Sequence, residues 1–348
     1  MQEANKIEGY SFADKLHGYF YGRWTYLYVG VGTGEHRLSR LLLPVFTFFL
    51  RLAHRPAREV PEPGAESEPS KAAVDPAEPN AAKMVVDSFS RSMLRTIADG
   101  YHGKVVRLDD ARQLVTLNKE ISFECPEQVL PYPRARDIIM RNPDHIVVLD
   151  CPCRSSRENP CKPLDVCLIV GEPFASFIVD HLPDRARRIE QQEAVEILRA
   201  ESERGHVHHA FFKDAMLERF YAICNCCSCC CGAIHAYTHG TPMLVSSGYA
   251  SQISADDCIA CETCVEGCQF GAISIVDGNG SGEGWAVVDH ELCMGCGVCA
   301  SRCEWEAAVL VRDPSKGEPL EIHELMAQVQ PGQTAPHRSE QPEQPELF

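Results

Sequence analysis

The spacing of apolar positions changes several times along the chain, and each change predicts a different kind of element. Apolar residues recur at short intervals over 104–123, which predicts strand, and four consecutive apolar residues between His145 and Asp150 predict a buried strand. Apolar stripes at helical spacing predict helices over about 84–98, 134–141, 173–182, 184–204 and 208–222. Asp184 and Gly205 provide the N-cap and the stop expected for the fourth of these helices.

Shorter apolar segments follow towards the C-terminus and predict a second unit built from strands. These strands are expected at about 249–254, 272–276, 286–289 and 308–311. The glycine-rich segment 277–284 is typical of a loose hairpin turn. The predicted fold class is therefore α+β, in which a middle domain of α/β-to-helical character precedes a small module of βαβ repeats.

Composition divides the chain into five parts with different expected roles. These are an aromatic and apolar N-terminal segment (1–55), a Pro/Glu/Ala-rich linker (56–83), a cysteine-rich middle domain (84–245), the βαβ-repeat module (246–315) and a mostly disordered tail (316–348). The apolar run from Leu41 to Leu50 is shorter than the about 20 residues that a membrane-spanning helix needs. Aromatic residues and flanking arginines predict that residues 1–55 contact a membrane surface or a partner subunit, the alternative being an ordinary N-terminal packing element.

The net charge opposes one large class of function. The 348 residues carry a formal net charge of −16, which opposes nucleic-acid binding and suits docking on basic patches of redox partners. The N-terminus lacks a signal-peptide pattern, and cysteine triplets such as Cys229-Cys230-Cys231 fit poorly in a disulfide framework. We therefore expect the 19 cysteines to be kept reduced in an anaerobic cytoplasm, with the chain free or peripheral at the cytoplasmic membrane face.

Eight of the cysteines form a repeat that carries the strongest chemical signal in the chain. The first run is Cys258, Cys261, Cys264 and Cys268, and the second is Cys293, Cys296, Cys299 and Cys303. Both have the spacing C-x2-C-x2-C-x3-C, and each cysteine of the second run lies 35 positions after its counterpart. This is the iron–sulfur signature of bacterial two-cluster ferredoxins.

The repeat predicts two [4Fe–4S] clusters with crossed ligation. Three thiolates of each run wrap one face of a cluster, and the fourth binds the other cluster because a short loop does not reach the far corner. One cluster is assigned to Cys258, Cys261, Cys264 and Cys303, and the other to Cys293, Cys296, Cys299 and Cys268. A zinc ribbon is the alternative, but zinc sites usually use two separated C-x2-C pairs.

Ten further cysteines lie in the middle domain and predict one or two additional metal sites. They are Cys151, Cys153, Cys161, Cys167, Cys224, Cys226, Cys227, Cys229, Cys230 and Cys231. Free thiols at such density oxidise readily, so metal ligation is the expected reason for them. Iron–sulfur clusters are the first candidate, zinc or structural thiols are alternatives, and the spacing does not say which residues combine. Arg154 and Arg157 are expected either to hydrogen-bond to such a site or to be solvated surface charges.

These motifs together resemble a family of 4Fe-4S dicluster proteins from anaerobic bacteria. The resemblance covers about residues 130–312 and rests on five stretches: Cys151-x-Cys153-Arg154, Cys161 to Cys167, Ala186-Arg-Arg-Ile189, Ile223-Cys-Asn-Cys-Cys-Ser-Cys-Cys-Cys231 and the double run. It implies an iron–sulfur redox role without naming a substrate. The chain departs from two-cluster ferredoxins at Gln269 and Glu304, because proline follows the fourth cysteine in that motif.

Three functions are compatible with these residues. The first is an electron-transfer protein, a subunit or partner of a larger redox complex that contains a flavoprotein or another oxidoreductase subunit. The second is an oxidoreductase in which the middle cysteines bind a catalytic cluster and the two ferredoxin-type clusters feed it. The third is a redox sensor. No catalytic acid, base or nucleophile is assigned from the sequence.

Overall fold

An eight-stranded sheet forms the middle of the chain in the computed structural model, which describes residues 12–33, 91–277 and 284–328. Its strands are β1 (Tyr101–Val106), β2 (Ile121–Glu124), β3 (Asp137–Asp150), β4 (Asp165–Glu172), β5 (Ala186–Ile189), β6 (Val207–Lys213), β7 (Arg219–Cys226) and β8 (Leu244–Val245). The strand order is β2-β3-β4-β7-β6-β1-β8, with β5 paired to β3. Apart from the parallel β1–β8 and a single β3–β7 pair, the pairings are antiparallel.

Helices lie around this sheet and in the C-terminal part of the described chain. They are α1 (Phe12–Arg23), α2 (Thr25–Gly32), α3 (Arg91–Gly100), α4 (Leu108–Val115), α5 (Pro152–Ser155), α6 (Phe174–His181), α7 (Gln191–Glu203), α8 (Gly232–Thr238), α9 (Thr263–Gly267), α10 (Val298–Arg302) and α11 (Ile322–Gln328). A short 3-10 turn spans Pro314–Lys316.

The C-terminal module, residues 249–312, consists of two antiparallel ribbons and two short helices. Its strands are β9 (Tyr249–Ile253), β10 (Ile273–Asp277), β11 (Gly284–Val288) and β12 (Ala308–Arg312). Strand β9 pairs with β12 and β10 pairs with β11, and the chain order is β9-α9-β10 followed by β11-α10-β12. The four strands predicted here are confirmed, as is the α+β class. Most of the glycine-rich turn at 277–284 lies outside the described residues.

The middle domain corrects several predicted elements. The helix predicted over 208–222 is wrong, because β6 and β7 form a hairpin there. The helix predicted over 134–141 is also wrong, because β3 begins at Asp137. All residues of β6 are buried, so its apolar sequence has no alternating solvent face that distinguishes a strand from a helix. The middle domain therefore contains more strand and less helix than expected, with helices packed around an eight-stranded sheet.

Two other predictions hold over part of their length. The segment 104–123 contains β1 and β2 but also the helix α4 between them. The helix predicted over 184–204 begins later, at Gln191, because Ala186–Ile189 pairs with β3 as β5. It ends as predicted beside Gly205, which has φ +82°. The helix predicted over 173–182 is confirmed as α6.

Helices α1 and α2 pack against the sheet. The Tyr21 hydroxyl lies 2.7 Å from that of Tyr221 on β7, and the Tyr26 hydroxyl donates to the backbone oxygen of Asp150 at 2.8 Å. The opposite side of these helices leaves five large apolar side chains exposed: Phe12, Leu16, Phe20, Trp24 and Leu27. None of the helices in the described ranges is long and apolar enough to span a membrane. The apolar run at 41–50, the linker at 56–83 and the tail from 329 lie outside the described residues.

A buried ion pair connects α7 to the short helix α5. Arg154 and Glu201 are each about 1 % exposed, and their side chains meet at 2.5 Å. Burial favours the neutral carboxyl, but His206 and Arg154 hydrogen-bond to it and hold the Glu201 pKa below its usual range. Arg154 also donates to the backbone oxygens of Pro163 and Asn225. The alternative of a solvated surface charge is therefore wrong for Arg154.

We predict that Glu201→Gln lowers the free energy of unfolding by about 3–5 kcal/mol, because it leaves the Arg154 guanidinium buried without its counter-charge. Chemical denaturation followed by circular dichroism measures this change. Glu203→Gln is the matched control on the same helix, since its pair with Arg199 is exposed and contributes about 0.5 kcal/mol or less. Equal effects of the two substitutions would contradict a structural role for the buried pair.

Candidate metal-binding site

Three adjacent strands bring cysteines to one edge of the large sheet. Strand β3 ends next to Cys151, Cys167 is the third residue of β4, and β7 ends at Cys226. Because β4 runs antiparallel to both neighbours, the end of β3 and the end of β7 lie beside its start. The register pairs Leu168 with Ile223, which places Cys167 next to Cys224. Residues far apart in the sequence thereby become close neighbours.

Six of the ten middle cysteines form one connected set, here called the six-thiol group: Cys151, Cys153, Cys167, Cys224, Cys226 and Cys231. The sulfur atoms of Cys167 and Cys224 are 3.8 Å apart. Cys151 hydrogen-bonds to the thiols of Cys153 and Cys167, and Cys231 hydrogen-bonds to those of Cys153 and Cys226. The group therefore joins residues from both cysteine-rich segments of the middle domain.

The other four middle cysteines form a second set, the four-thiol group: Cys161, Cys227, Cys229 and Cys230. Their sulfur atoms all lie within 4.8 Å of one another. Cys229 is central, at 3.1 Å from Cys161, 3.3 Å from Cys227 and 3.7 Å from Cys230. Arg157 donates to the backbone oxygen of Cys230 at 3.2 Å. Four converging thiols suit a soft cation or an iron–sulfur cluster.

Neighbouring thiols and burial raise the pKa of five members of the six-thiol group: Cys151, Cys153, Cys167, Cys226 and Cys231. The pKa of Cys151 rises to about 12, first through its hydrogen bond to Cys153 and further through burial. The pKa of Cys167 rises well above its usual value through hydrogen bonds to Cys151 and Cys224 and through burial. Because metals bind thiolates, occupation of this group releases protons.

A cavity of about 290 Å³ lies against the six-thiol group, and we call it the large cavity. All six thiol residues line it, together with Cys227 and Cys230 of the four-thiol group. Helices α1 and α2 form part of its wall through Tyr21 and Tyr28, and α8 contributes Ala233 and Ala236. Gly232 permits close packing here, since a Cβ would lie 2.8 Å from the Thr33 methyl group.

An irregularity in β7 places a tyrosine in the large cavity. Phe211 of β6 pairs with Ala222, but the next residue, Phe212, pairs with Phe220, so Tyr221 is an extra residue in the strand. A bulge of this kind turns a side chain to the other face of the strand. Tyr221 and Ala222 therefore both line the cavity.

Lys213 lies in the wall of the same cavity and is 3 % exposed. Its ammonium nitrogen is 4.8 Å from the ring centroid of Tyr21, 5.4 Å from that of Tyr28 and 4.5 Å from that of Tyr101. Burial lowers the Lys213 pKa, and the nearby Asp214 carboxylate opposes that shift. The wall of the cavity thus contains thiols and the Lys213 ammonium, which lies among three tyrosine rings.

Two smaller cavities of about 20 Å³ each lie in the C-terminal module. The outer cavity is lined by Cys258, Cys261, Cys264 and Cys303, and the inner cavity is lined by Cys268, Cys293, Cys296 and Cys299. The fourth cysteine of each run therefore lies with the first three of the other run. Ile275 and Ala286 line the outer cavity, Phe270 and Met294 line the inner one, and these side chains exclude water.

Backbone amides already point at several of these sulfur atoms. Ala272 N donates to Cys268 Sγ at 3.2 Å, and Ala286 N donates to Cys258 Sγ at 3.4 Å. Ser251 N lies 3.5 Å from Cys293 Sγ in the same kind of contact. Such donors stabilise negatively charged sulfur, so the donor set of both cavities fits thiolate-bound clusters.

The sequence located the cysteines of these sites but not their grouping in the middle domain. The ten middle cysteines divide into six and four, and each group takes residues from both segments. Cys125 is buried in the core and lines none of the three cavities.

Sequence reasoning missed Lys213, Tyr101 and Tyr221, because their strands were not recognised as neighbours. A lysine directly after the apolar residues Ala210, Phe211 and Phe212 of β6 is the signal that points to an unusual environment.

The fold and the paired four-cysteine cavities define a chain with an iron–sulfur module at its C-terminal end. Residues 257–307 match the family model of the 4Fe-4S dicluster domain. The chain therefore contains a 4Fe-4S dicluster domain, which implies iron–sulfur electron transfer. No curated protein and no solved structure matches the chain.

We predict that Gly295→Ala disrupts the inner cavity. Gly295 has φ +64°, and a Cβ there would clash with the backbone oxygen of Tyr249 and with the Ser247 hydroxyl, so β9 must move. Gly271→Ala is the matched control, because Gly271 has φ +65° and nothing within 4 Å of the added carbon. Both variants carry the backbone strain of about 1–2 kcal/mol, and Gly295→Ala loses further stability in thermal unfolding. Equal melting temperatures would rule out the clash.

Proposed function

We propose that this protein transfers electrons through two [4Fe–4S] clusters in its C-terminal module and through at least one further cysteine-bound centre in the middle domain. The observation that carries the proposal is the division of the eight repeat cysteines into two cavities of four. The crossed grouping is the one that two-cluster ferredoxins require. When bound, the clusters supply one-electron redox chemistry.

The residues of the module keep the two cavities close and dry. Ile273 lines the inner cavity, and it packs in one small hydrophobic group with Cys258 and Cys264 of the outer cavity. The thiols of Cys264 and Cys299 are also near enough to interact electrostatically. A short apolar separation of this kind supports electron exchange between the two sites without water.

Gln269 links the inner cavity to the four-thiol group. It directly follows Cys268, and its side-chain oxygen accepts from Ser228 N at 2.7 Å. Ser228 lies between Cys227 and Cys229 of the four-thiol group. The Gln269 amide also donates to the backbone oxygen of Gly205 at 2.9 Å, which fixes its orientation. A short covalent and hydrogen-bonded path therefore connects the inner cavity to the middle domain.

The outer cavity faces the surface at which a redox partner would dock. Ile259 and Trp305 line it and are 53 % and 56 % exposed. Acidic side chains surround this patch in the sequence: Asp256, Asp257, Glu262, Glu304 and Glu306. An apolar centre with an acidic rim suits a partner with a basic rim, such as a flavoprotein or another oxidoreductase subunit.

Residues 12–33 pack on the middle domain, in line with the alternative of an ordinary N-terminal packing element. Their exposed apolar stripe supports a second role for the segment 1–55 as a contact with a membrane surface or a partner subunit. A peripheral position at the cytoplasmic membrane face belongs to the same proposal. The redox-sensor hypothesis has no independent support in the described residues.

Crossed ligation makes a prediction about pairs of cysteine substitutions. Cys264→Ser combined with Cys303→Ser removes two ligands of one cluster, so about four iron atoms per chain are lost. Cys264→Ser combined with Cys268→Ser damages both clusters, and the loss is about eight. Iron and sulfide analysis of anaerobically purified protein, with EPR of the reduced state, measures the difference. The reverse order of losses would show uncrossed ligation, and a zinc signal in wild type would favour zinc in the middle domain.

The link through Gln269 predicts a kinetic phenotype. Gln269→Ala removes the hydrogen bond to Ser228, and we expect severalfold slower reduction of the middle-domain centre after rapid mixing with a reductant protein. Iron content and the EPR signals of the C-terminal module stay as in wild type. Glu304→Ala is the matched control, because Glu304 holds the corresponding position of the second run and is exposed. An unchanged rate in Gln269→Ala would exclude this path.

A further inference from the structure

The large cavity has more room than its thiols alone require. The two four-cysteine cavities of the C-terminal module measure about 20 Å³ each, whereas the large cavity measures about 290 Å³ and has six thiols in its wall. A closed structural metal site needs four ligands and no adjoining space, while a site that binds substrate keeps open space at the metal. The volume beside the six-thiol group therefore points to a second occupant.

Polar groups beside the thiols are arranged to receive that occupant. The Tyr221 hydroxyl lies 2.7 Å from that of Tyr21 and 3.5 Å from that of Tyr101, which makes a cluster of three hydroxyls from three different elements. Cys224 is close enough to raise the pKa of each of these tyrosines, although burial is the larger cause. The hydroxyl cluster thus adjoins the six-thiol group.

Lys213 adds a positive charge that the surrounding protein balances poorly. The nearest carboxylate oxygen, Asp214 Oδ1, is 3.9 Å from the ammonium and already accepts from Ala215 N at 2.5 Å. Within the described ranges, the structure shows no hydrogen bond from Lys213 Nζ, and the rings of Tyr21, Tyr28 and Tyr101 lie around it. A buried ammonium normally has acceptors for its protons, and an anion in the cavity would supply them.

The four-thiol group connects this cavity to the proposed electron path. Cys227 and Cys230 belong to that group and also line the large cavity. The path that begins at the outer cavity and passes Gln269 therefore ends at the wall of the large cavity. The proposed electron path thus ends at a mainly apolar cavity that also contains the Lys213 ammonium and three tyrosine hydroxyls. Such a cavity is suited to binding a reactant.

We propose that the six-thiol group holds a metal–sulfur centre with an open coordination position, and that a small anion binds there between the metal and Lys213. This inference rests on the proposed electron-transfer function and deepens it, because it names the site at which the electrons are used. The ligand is a molecule with one negatively charged donor end and a body small enough for the mainly apolar chamber. The tyrosine hydroxyls hydrogen-bond to it, and Lys213 neutralises its charge.

The test uses full-length protein purified anaerobically with its centres in place and titrated with cyanide, a small anion that ligates iron. We expect cyanide to shift the EPR signal of a middle-domain centre and to give a bound C–N stretch in the infrared, with the signals of the C-terminal module unchanged. Cys151→Ser combined with Cys167→Ser removes this response and the iron of the six-thiol group. Absence of the C-terminal signals in wild type would instead refute the proposed electron-transfer function.

The role of the pocket residues is tested by affinity. Lys213→Met weakens cyanide binding by roughly tenfold or more, since a buried counter-charge is lost, while iron content stays constant. Lys104→Met is the matched control, because Lys104 is also buried but donates to the backbone oxygen of Glu318 and lies outside the cavity wall. Tyr221→Phe keeps the ring, weakens binding less, and serves if Lys213→Met does not fold. A loaded centre that does not respond to cyanide, or equal affinity in the lysine variants, overturns the proposal.

Discussion

The arrangement of the middle domain depends on the antiparallel pairing of β3, β4 and β7. Antiparallel neighbours place the end of one strand beside the start of the next, so three chain segments leave the sheet at one edge. Cysteines stand at or next to each of these strand ends. The loops after β3 and β7 then need only short paths to bring the remaining thiols into two groups, and α1 and α2 cover the edge.

Polar side chains connect β3, β4 and β7 at the end of the sheet where the cysteines lie. Arg154 bonds to Glu201 and to the backbone oxygens of Pro163 and Asn225. The Asn225 side-chain nitrogen donates to Val166 O at 2.6 Å, and its side-chain oxygen accepts from His208 Nδ1 at 2.6 Å. Because these groups are buried, each needs its partners, and the network fixes the separation of the strands.

The metal-binding candidates lie in series along the molecule. One small hydrophobic group contains residues that line the outer cavity and residues that line the inner cavity. Gln269 joins Cys268 of the inner cavity to Ser228, and two cysteines of the four-thiol group line the large cavity. The position after the fourth cysteine, proline in two-cluster ferredoxins, holds glutamine in one run and glutamate in the other. The glutamine contacts the middle domain, while the glutamate is exposed, so the two halves of the repeat have different surroundings.

The sequence by itself determined the C-terminal module, because cysteine spacing and short strands between turns are local properties. The eight repeat cysteines and the strands around them follow from local spacing, and the ligation known for this motif supplies the crossed grouping. It also located the ten middle cysteines, but it misplaced β6 and β7, since segments buried on both faces lose the alternation that identifies a strand. Strand neighbours, and hence the division into six and four thiols, are set by long-range pairing. Tyr21 contacts both Lys213 and Tyr221, which lie 192 or more positions later in the sequence. Tertiary packing and the bulge in β7 decide these contacts.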